Sequence, residues 1–196
     1  MPEARAKRGR KLPRRITPER LNNIALYYIG RYASSSANLR RVLLRRVERA
    51  SRVHGDDPAE GARLIDELVA RFLRSGLIDD RTYAAQKAAS LRRRGASRFG
   101  IGGKLRQKGV EGELIAETLG ALEDNVPGGE FAAACAFVRR RRLGPLRPPS
   151  KRKEMRDKDL AALSRAGFGL DLARRALACP DAATLDAWAR GEGGES

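Results

Sequence analysis

The chain has 196 residues with 41 Lys plus Arg against 24 Asp plus Glu, a formal net charge of +17, and 5% aromatic residues. Self-repulsion on that scale weakens a compact state unless an anionic partner relieves it, so a polyanionic partner is expected. A hydrophobic content of 41% is ample for a packed core and excludes a wholly disordered basic tail, while no apolar run reaches the ~18 to 20 residues of a membrane span.

Residues 1–16 carry Arg5, Lys7, Arg8, Arg10, Lys11, Arg14 and Arg15 against Glu3, with no periodicity, and are expected to form a disordered basic arm. Thr17-Pro18-Glu19 then opens a helix, with a capping hydroxyl, a proline in the first turn and an acid at the positive end of the dipole. Leu21, Ile24, Ala25, Tyr28 and Ile29 carry it to about Arg31. Ser34 to Ser36 offer the next cap, after which Leu39, Val42, Leu43 and Val47 form an apolar stripe opposite Arg40, Arg41, Arg45, Arg46 and Arg49. A turn-rich stretch around Gly55 and Pro58, which holds the single histidine, His54, separates it from a third helix through Leu64, Ile65, Leu68, Val69, Phe72 and Leu73 that stops at Gly76.

Asp79 and Asp80 begin a helix that carries Tyr83, Ala84, Ala88 and Leu91 and ends at the Arg92-Arg93-Arg94-Gly95 corner. The next spans about Ser97 to Lys108, with Gly109 as its stop, and a short one follows through Leu114, Ile115 and Leu119. Further helices are expected over Phe131 to about Arg142, Arg152 to Ala166 and Leu170 to Ala178. No segment alternates with period two, so the fold is expected to be all-α.

Leu105, Gly109, Val110, Leu114, Ile115 and Leu119 reappear at identical spacing as Leu163, Gly167, Phe168, Leu172, Ala173 and Leu177. With a looser match in the first third, this predicts three tandem three-helix repeats, 17–78, 79–124 and 125–178, and a short C-terminal helix with a flexible tail at 179–196. Stacked units of this kind form an elongated array that can curve.

The residues joining the repeats resemble the RecX family of bacterial recombinase regulators. The similar segments are Ala25-Leu26-Tyr27-Tyr28-Ile29 with Leu39-Arg40-Arg41-Val42-Leu43, then Gly76-Leu77-Ile78-Asp79-Asp80-Arg81-Thr82-Tyr83-Ala84, then Lys104-Leu105-Arg106-Gln107-Lys108-Gly109-Val110, and finally Gly167-Phe168 with Leu172. Tyr83 stands where the family often has Phe and Lys104 where it commonly has an acid. The resemblance implies a non-enzymatic bacterial protein that lies in the groove of the RecA filament on single-stranded DNA and inhibits ATP hydrolysis, strand exchange and the SOS co-protease function.

The chemistry available in the sequence agrees with a binding role. Asp79 and Asp80 stand where a helix start uses acids, with no His, Ser or Cys partner for acid-base or nucleophilic work. Arg98 to Leu105 departs from a phosphate loop at both ends, because Arg98 replaces its first glycine and Leu105 its hydroxyl. Cys135 and Cys179 are too few for a disulfide framework or a zinc site, so no catalytic residue, metal or cofactor is expected, and a reducing cytoplasm fits. The candidate binding residues are Arg40, Arg41, Arg45 and Arg46; Arg92, Arg93, Arg94, Arg98, Lys104, Arg106 and Lys108; and Arg139, Arg140, Arg141 and Arg142. They are expected to contact phosphates of single- and double-stranded DNA alongside RecA, with the protein a monomer away from membranes. The alternative is an autonomous helical-repeat protein that binds DNA or RNA without a recombinase partner.

Overall fold

The computed structural model describes residues 12–125 and 128–192, and among them every regular element is helical. Contacts divide the chain at Asp79 and Asp80 into two compact units. The first unit holds α1 (Pro18–Ile29), α2 (Ser36–His54) and α3 (Pro58–Arg74). Each starts on a side-chain cap: Thr17 accepts from the Arg20 N–H at 3.2 Å, Ser35 from Asn38 at 3.2 Å and Asp57 from Ala59 at 2.8 Å. Leu21, Ala25, Leu39, Leu43, Val47, Ile65, Leu68 and Phe72 form the core between them. The α2 and α3 backbones approach closely because Gly61 faces Val47, and a Cβ at Gly61 would lie 2.4 Å from Val47 Cγ1.

The second unit holds α4 (Asp80–Arg93), α5 (Arg98–Gln107), α6 (Gly112–Asn125), α7 (Gly129–Arg141), a 3-10 turn (Gly144–Leu146), α8 (Pro149–Arg165), α9 (Leu170–Leu177) and α10 (Ala182–Ala189). Two apolar clusters fill it. One gathers Ala84, Ala88, Ile101, Leu105, Val110, Ile115 and Leu119 from α4 to α6. The other gathers Phe131, Cys135, Val138, Leu163, Phe168, Ala173 and Leu185 from α7 to α10.

A single local device closes helices in both units. At Gly76, Gly95, Gly109, Gly167 and Gly191 the chain takes a left-handed conformation, and the N–H of the following residue donates to the carbonyl five residues earlier, for example Val110 to Leu105 and Phe168 to Leu163, both at 3.1 Å. Arg142 occupies the same place after α7, with φ 54°, and Leu143 donates to Val138 at 3.0 Å.

The two clusters of the second unit are joined at the α4–α5 corner. Arg92, 3% exposed, forms an ion pair with Glu130 in the first turn of α7, and the Glu130 carboxylate also accepts from the Arg98 N–H at 2.9 Å. Ser97 Oγ accepts from the Gly100 N–H at 2.9 Å, capping α5, and donates to the Ala166 carbonyl at 2.5 Å. Gly95 admits α7, since a Cβ there would lie 2.6 Å from the Phe137 nitrogen.

Several expectations differ from the structure. Residues 12–16, expected to belong to a disordered arm, lie against the end of α2, where His54 Nε2 meets the Pro13 carbonyl at 2.7 Å and Arg15 pairs with Asp56 at 2.5 Å; residues 1–11 lie outside the described residues. His54 closes α2 rather than sitting in the loop. Helix α8 begins at Pro149, earlier than Arg152, since proline suits a first turn. The helix after 178 completes the last core, with Leu185 fully buried and Trp188 5.4 Å from the Phe131 ring; residues 193–196 of the expected tail also lie outside the described ones.

Asp159, 2% exposed, accepts from Arg147 at 2.6 and 2.8 Å and from the Gly144 N–H at 2.9 Å, fixing the 3-10 turn. Burial alone would push its pKa up, but the Arg147 and Gly144 hydrogen bonds and the Arg147 charge outweigh it and hold the carboxyl below its ordinary range. Its stabilising contribution is therefore complete above the unfolded value of about 4 and is lost as pH falls through the lower folded value. Asp159→Asn is expected to lower stability at pH 7 by about 2 to 3 kcal/mol and to reduce the acid sensitivity of thermal unfolding below about pH 4; an unchanged acid profile would contradict the assignment. Gly61→Ala should cost about 1 to 3 kcal/mol because the branched Val47 cannot swing away, whereas Gly103→Ala, with open space around it, should gain up to about 1 kcal/mol. Arg142→Gly is expected to stabilise by roughly 1 kcal/mol or less, since glycine removes the left-handed penalty but loses more entropy on folding. Chemical denaturation of the purified variants checks all three signs.

Candidate nucleic-acid interface

The arginines of α2 diverge around the helix. Arg40 turns to α3 and pairs with Asp66 at 2.5 Å, and its hydrogen bonds hold the Asp66 carboxyl below the ordinary range. Arg41, Arg45 and Arg46 are exposed. Arg45 lines a shallow depression with Leu12, Pro13, Arg49 and Arg52, while Arg46 lines a groove against α1 with Arg14, Arg20 and Arg49. That groove gathers more positive charge than the α2 sequence alone suggests. Arg20 and Tyr27, which also line it or its continuation, are absent from the sequence-derived set.

Around the α4–α5 corner the seven candidates separate. Arg92 is a correction: it points inward and is neutralised by Glu130, so it is not offered to a ligand. Removing either member of such a buried pair leaves an uncompensated charge, which makes Arg92 structural. Arg93 and Arg94 are exposed and have no ion pair among the described residues. Arg98 pairs with Glu123 at 2.7 Å. Lys104 and Arg106 are exposed on α5 and Lys108 is half-buried at its end, with Arg106 about 12 Å along the axis from Arg98 at 1.5 Å per residue.

The cluster ending α7 meets this corner. Arg140 donates to the Arg94 carbonyl at 2.7 Å and lies over the Phe137 ring, 5.6 Å from its centroid. Arg139 pairs with Asp186 at 2.7 Å, and Arg141 and Arg142 are exposed. Arg93, Arg94, Arg140, Arg141 and Arg142 thus gather where α7 ends beside the corner, while the α2 arginines belong to the first unit. The exposed pairs at Arg40, Arg98 and Arg139 do not remove those side chains from consideration, because surface ion pairs are worth about 0 to 1 kcal/mol and a polyphosphate competes for them.

A second basic cleft of about 260 Å³ lies between α8 and α9, lined by Arg152, Lys153, Arg156 and Arg174 beside the paired Asp159. Arg156 and Arg174 carry no signal in the sequence beyond their charge, because α8 has to fold back on α9 before the two meet. Burial pushes the Cys135 thiol up to about 12, with Cys179 adding to the shift, so neither buried cysteine is poised as a thiolate. Among the described residues no three His, Cys, Asp or Glu side chains converge as metal ligands, and no helix is long and apolar enough to cross a membrane.

The geometry can bind phosphates through exposed guanidinium and ammonium groups, and comparison with known proteins agrees with the motif resemblance. A family model described as RecX, second three-helix domain, matches residues 79–119. Regulatory protein RecX of Myxococcus xanthus is 43% identical over 177 residues, covering 90% of this chain and 94% of that protein. Regulatory protein RecX of Agrobacterium fabrum is 28% identical over 156 residues, 80% of each chain. No solved structure matches significantly. The Myxococcus likeness runs through both compact units rather than one motif, and on that extent the chain belongs to the RecX family of regulatory proteins.

Proposed function

We propose that this protein regulates the RecA recombinase by binding its filament on single-stranded DNA, in the filament's groove, and that it lowers ATP hydrolysis, strand exchange and SOS co-protease activity without chemistry of its own. In this reading three tandem three-helix units, 17–78, 79–124 and 125–178, act as one monomer in the bacterial cytoplasm. The observation that carries it is the set of exposed cations around the α4–α5 corner, Arg93, Arg94, Lys104 and Arg106, on the segment matched by the RecX domain model. Their positive charge, joined by Arg140 to Arg142, suits a backbone of regularly spaced phosphates and needs no base-specific contact. Arg40, Arg41, Arg45 and Arg46 add a further phosphate-binding face.

The test is RecA ATP hydrolysis on single-stranded DNA. Wild-type protein is expected to inhibit at well below one copy per RecA subunit. A triple variant, Arg93→Glu, Arg94→Glu and Arg106→Glu, should raise the concentration for half-inhibition roughly tenfold or more, because reversed charges repel the phosphates. Its melting temperature should stay close to wild type, since exposed substitutions usually shift stability by no more than about 0.5 kcal/mol each. A wild-type protein that bound DNA yet left RecA ATPase untouched at equimolar ratio and low salt would instead be an autonomous nucleic-acid binder.

A further inference from the structure

The first unit carries a groove that combines positive charge with an exposed aromatic ring. Arg20 and Ile24 of α1 and Arg46 of α2 line two adjoining hollows, one of about 150 Å³ extending to Arg14 and Arg49, the other of about 490 Å³ extending to Tyr27. The shared walls make them one continuous groove. Glu19 is the acid at its edge, and that carboxylate is held by its own backbone N–H and by Thr17. The Arg20 Nε is buried without a hydrogen-bond partner among the described residues, which leaves the guanidinium charge incompletely compensated within the protein.

Tyr27 is 65% exposed although the chain has few aromatic residues. Its position is fixed from the turn that follows α1: Arg31 donates to the Tyr27 hydroxyl at 3.0 Å and its guanidinium lies 5.5 Å from the ring centroid. A ring ordered in advance loses little freedom when something stacks on it. Cations at one end of a groove and an ordered aromatic ring at the other match the two parts of a nucleotide, phosphate and base. Bases in a duplex are already stacked on each other and cannot offer a face to a side chain, so the match is to a single strand.

We propose that the α1–α2 groove is a nucleotide-binding subsite for single-stranded DNA, with phosphate held by Arg20, Arg46 and Arg49 and a base stacked on Tyr27. This rests on the reading that the protein binds DNA, and it adds base contact to an interface otherwise explained by phosphate alone. The full chain is titrated by fluorescence anisotropy with a labelled oligothymidylate of about 20 nucleotides, longer than single-strand sites of this kind, and with an abasic strand of equal length. Wild type should bind oligothymidylate about fivefold or more tighter than the abasic strand, the range expected for one base on an aromatic ring. Tyr27→Ala should abolish that preference while leaving abasic binding unchanged, Tyr27→Trp should retain it, and Arg20→Gln with Arg46→Gln should weaken both strands. Circular dichroism confirms that each variant is folded. Equal wild-type affinity for the two strands, or a preference that survives Tyr27→Ala, overturns the subsite. RecA ATPase assayed in parallel separates the two readings: inhibition without base preference removes the subsite alone, and base preference without inhibition removes the RecA reading alone.

Discussion

The left-handed residue that closes successive helices is the constraint on which the arrangement depends. A helix ending in that conformation turns its chain sharply while the N–H of the next residue satisfies a carbonyl of the last turn. The residue at or just after that bond is then delivered into the core: Ile78, Val110, Leu143 and Phe168 are all buried. Short helices that could not stand alone in water are thereby folded onto one another, and their apolar stripes supply the stability that helix propensity cannot. Glycine serves at five of these corners because it adopts positive φ without penalty, whereas Arg142 adopts it against a steric cost.

With a charge of +17 every arginine is a candidate surface ligand, yet the structure uses them in different ways. Arg92 and Arg147 hold parts of the second unit together through Glu130 and Asp159. Arg93 and Arg94, the next residues in the chain after Arg92, point outward. One or two residues separate a structural cation from functional candidates, because successive helical positions rotate by about 100° and the core accepts only one face.

Most helices were legible in the sequence because their ends carry explicit chemistry, such as Thr17-Pro18, Ser35 and Gly109. The all-α class follows from those ends and the apolar stripes between them, whereas the family is legible only through the resemblance of the joining segments, such as Gly76 to Ala84, to RecX proteins. Arg92 was harder to place, although Ala84, Ala88 and Arg92 lie four residues apart and share the buried stripe; its identity as a charge concealed its position on the core face. The short C-terminal helix is expected from the sequence, but its place in the core is not, since it offers little periodicity beyond Leu185 and Trp188 and its burial depends on α7, distant in sequence. The groove between α1 and α2 could not be read at all from α2 alone. Tyr27 falls off the Leu21, Ala25 and Tyr28 stripe and was recognisable as exposed, but its neighbours across the groove are set by tertiary packing.

Ser97 occupies a position with a wider consequence. One hydroxyl oxygen caps the start of α5 and, through its proton, engages the carbonyl at the end of α8, while Glu130 ties the start of α7 to the same corner. Helix ends that belong to different apolar clusters therefore satisfy one another. Opening either cluster strips polar partners from the other, so the second unit has reason to behave as a single foldon rather than as two repeats that open independently. Amides in the first turn of α5 would then exchange with solvent at the rate set by the whole unit, and damage to its last helices would be felt at the basic corner many residues away.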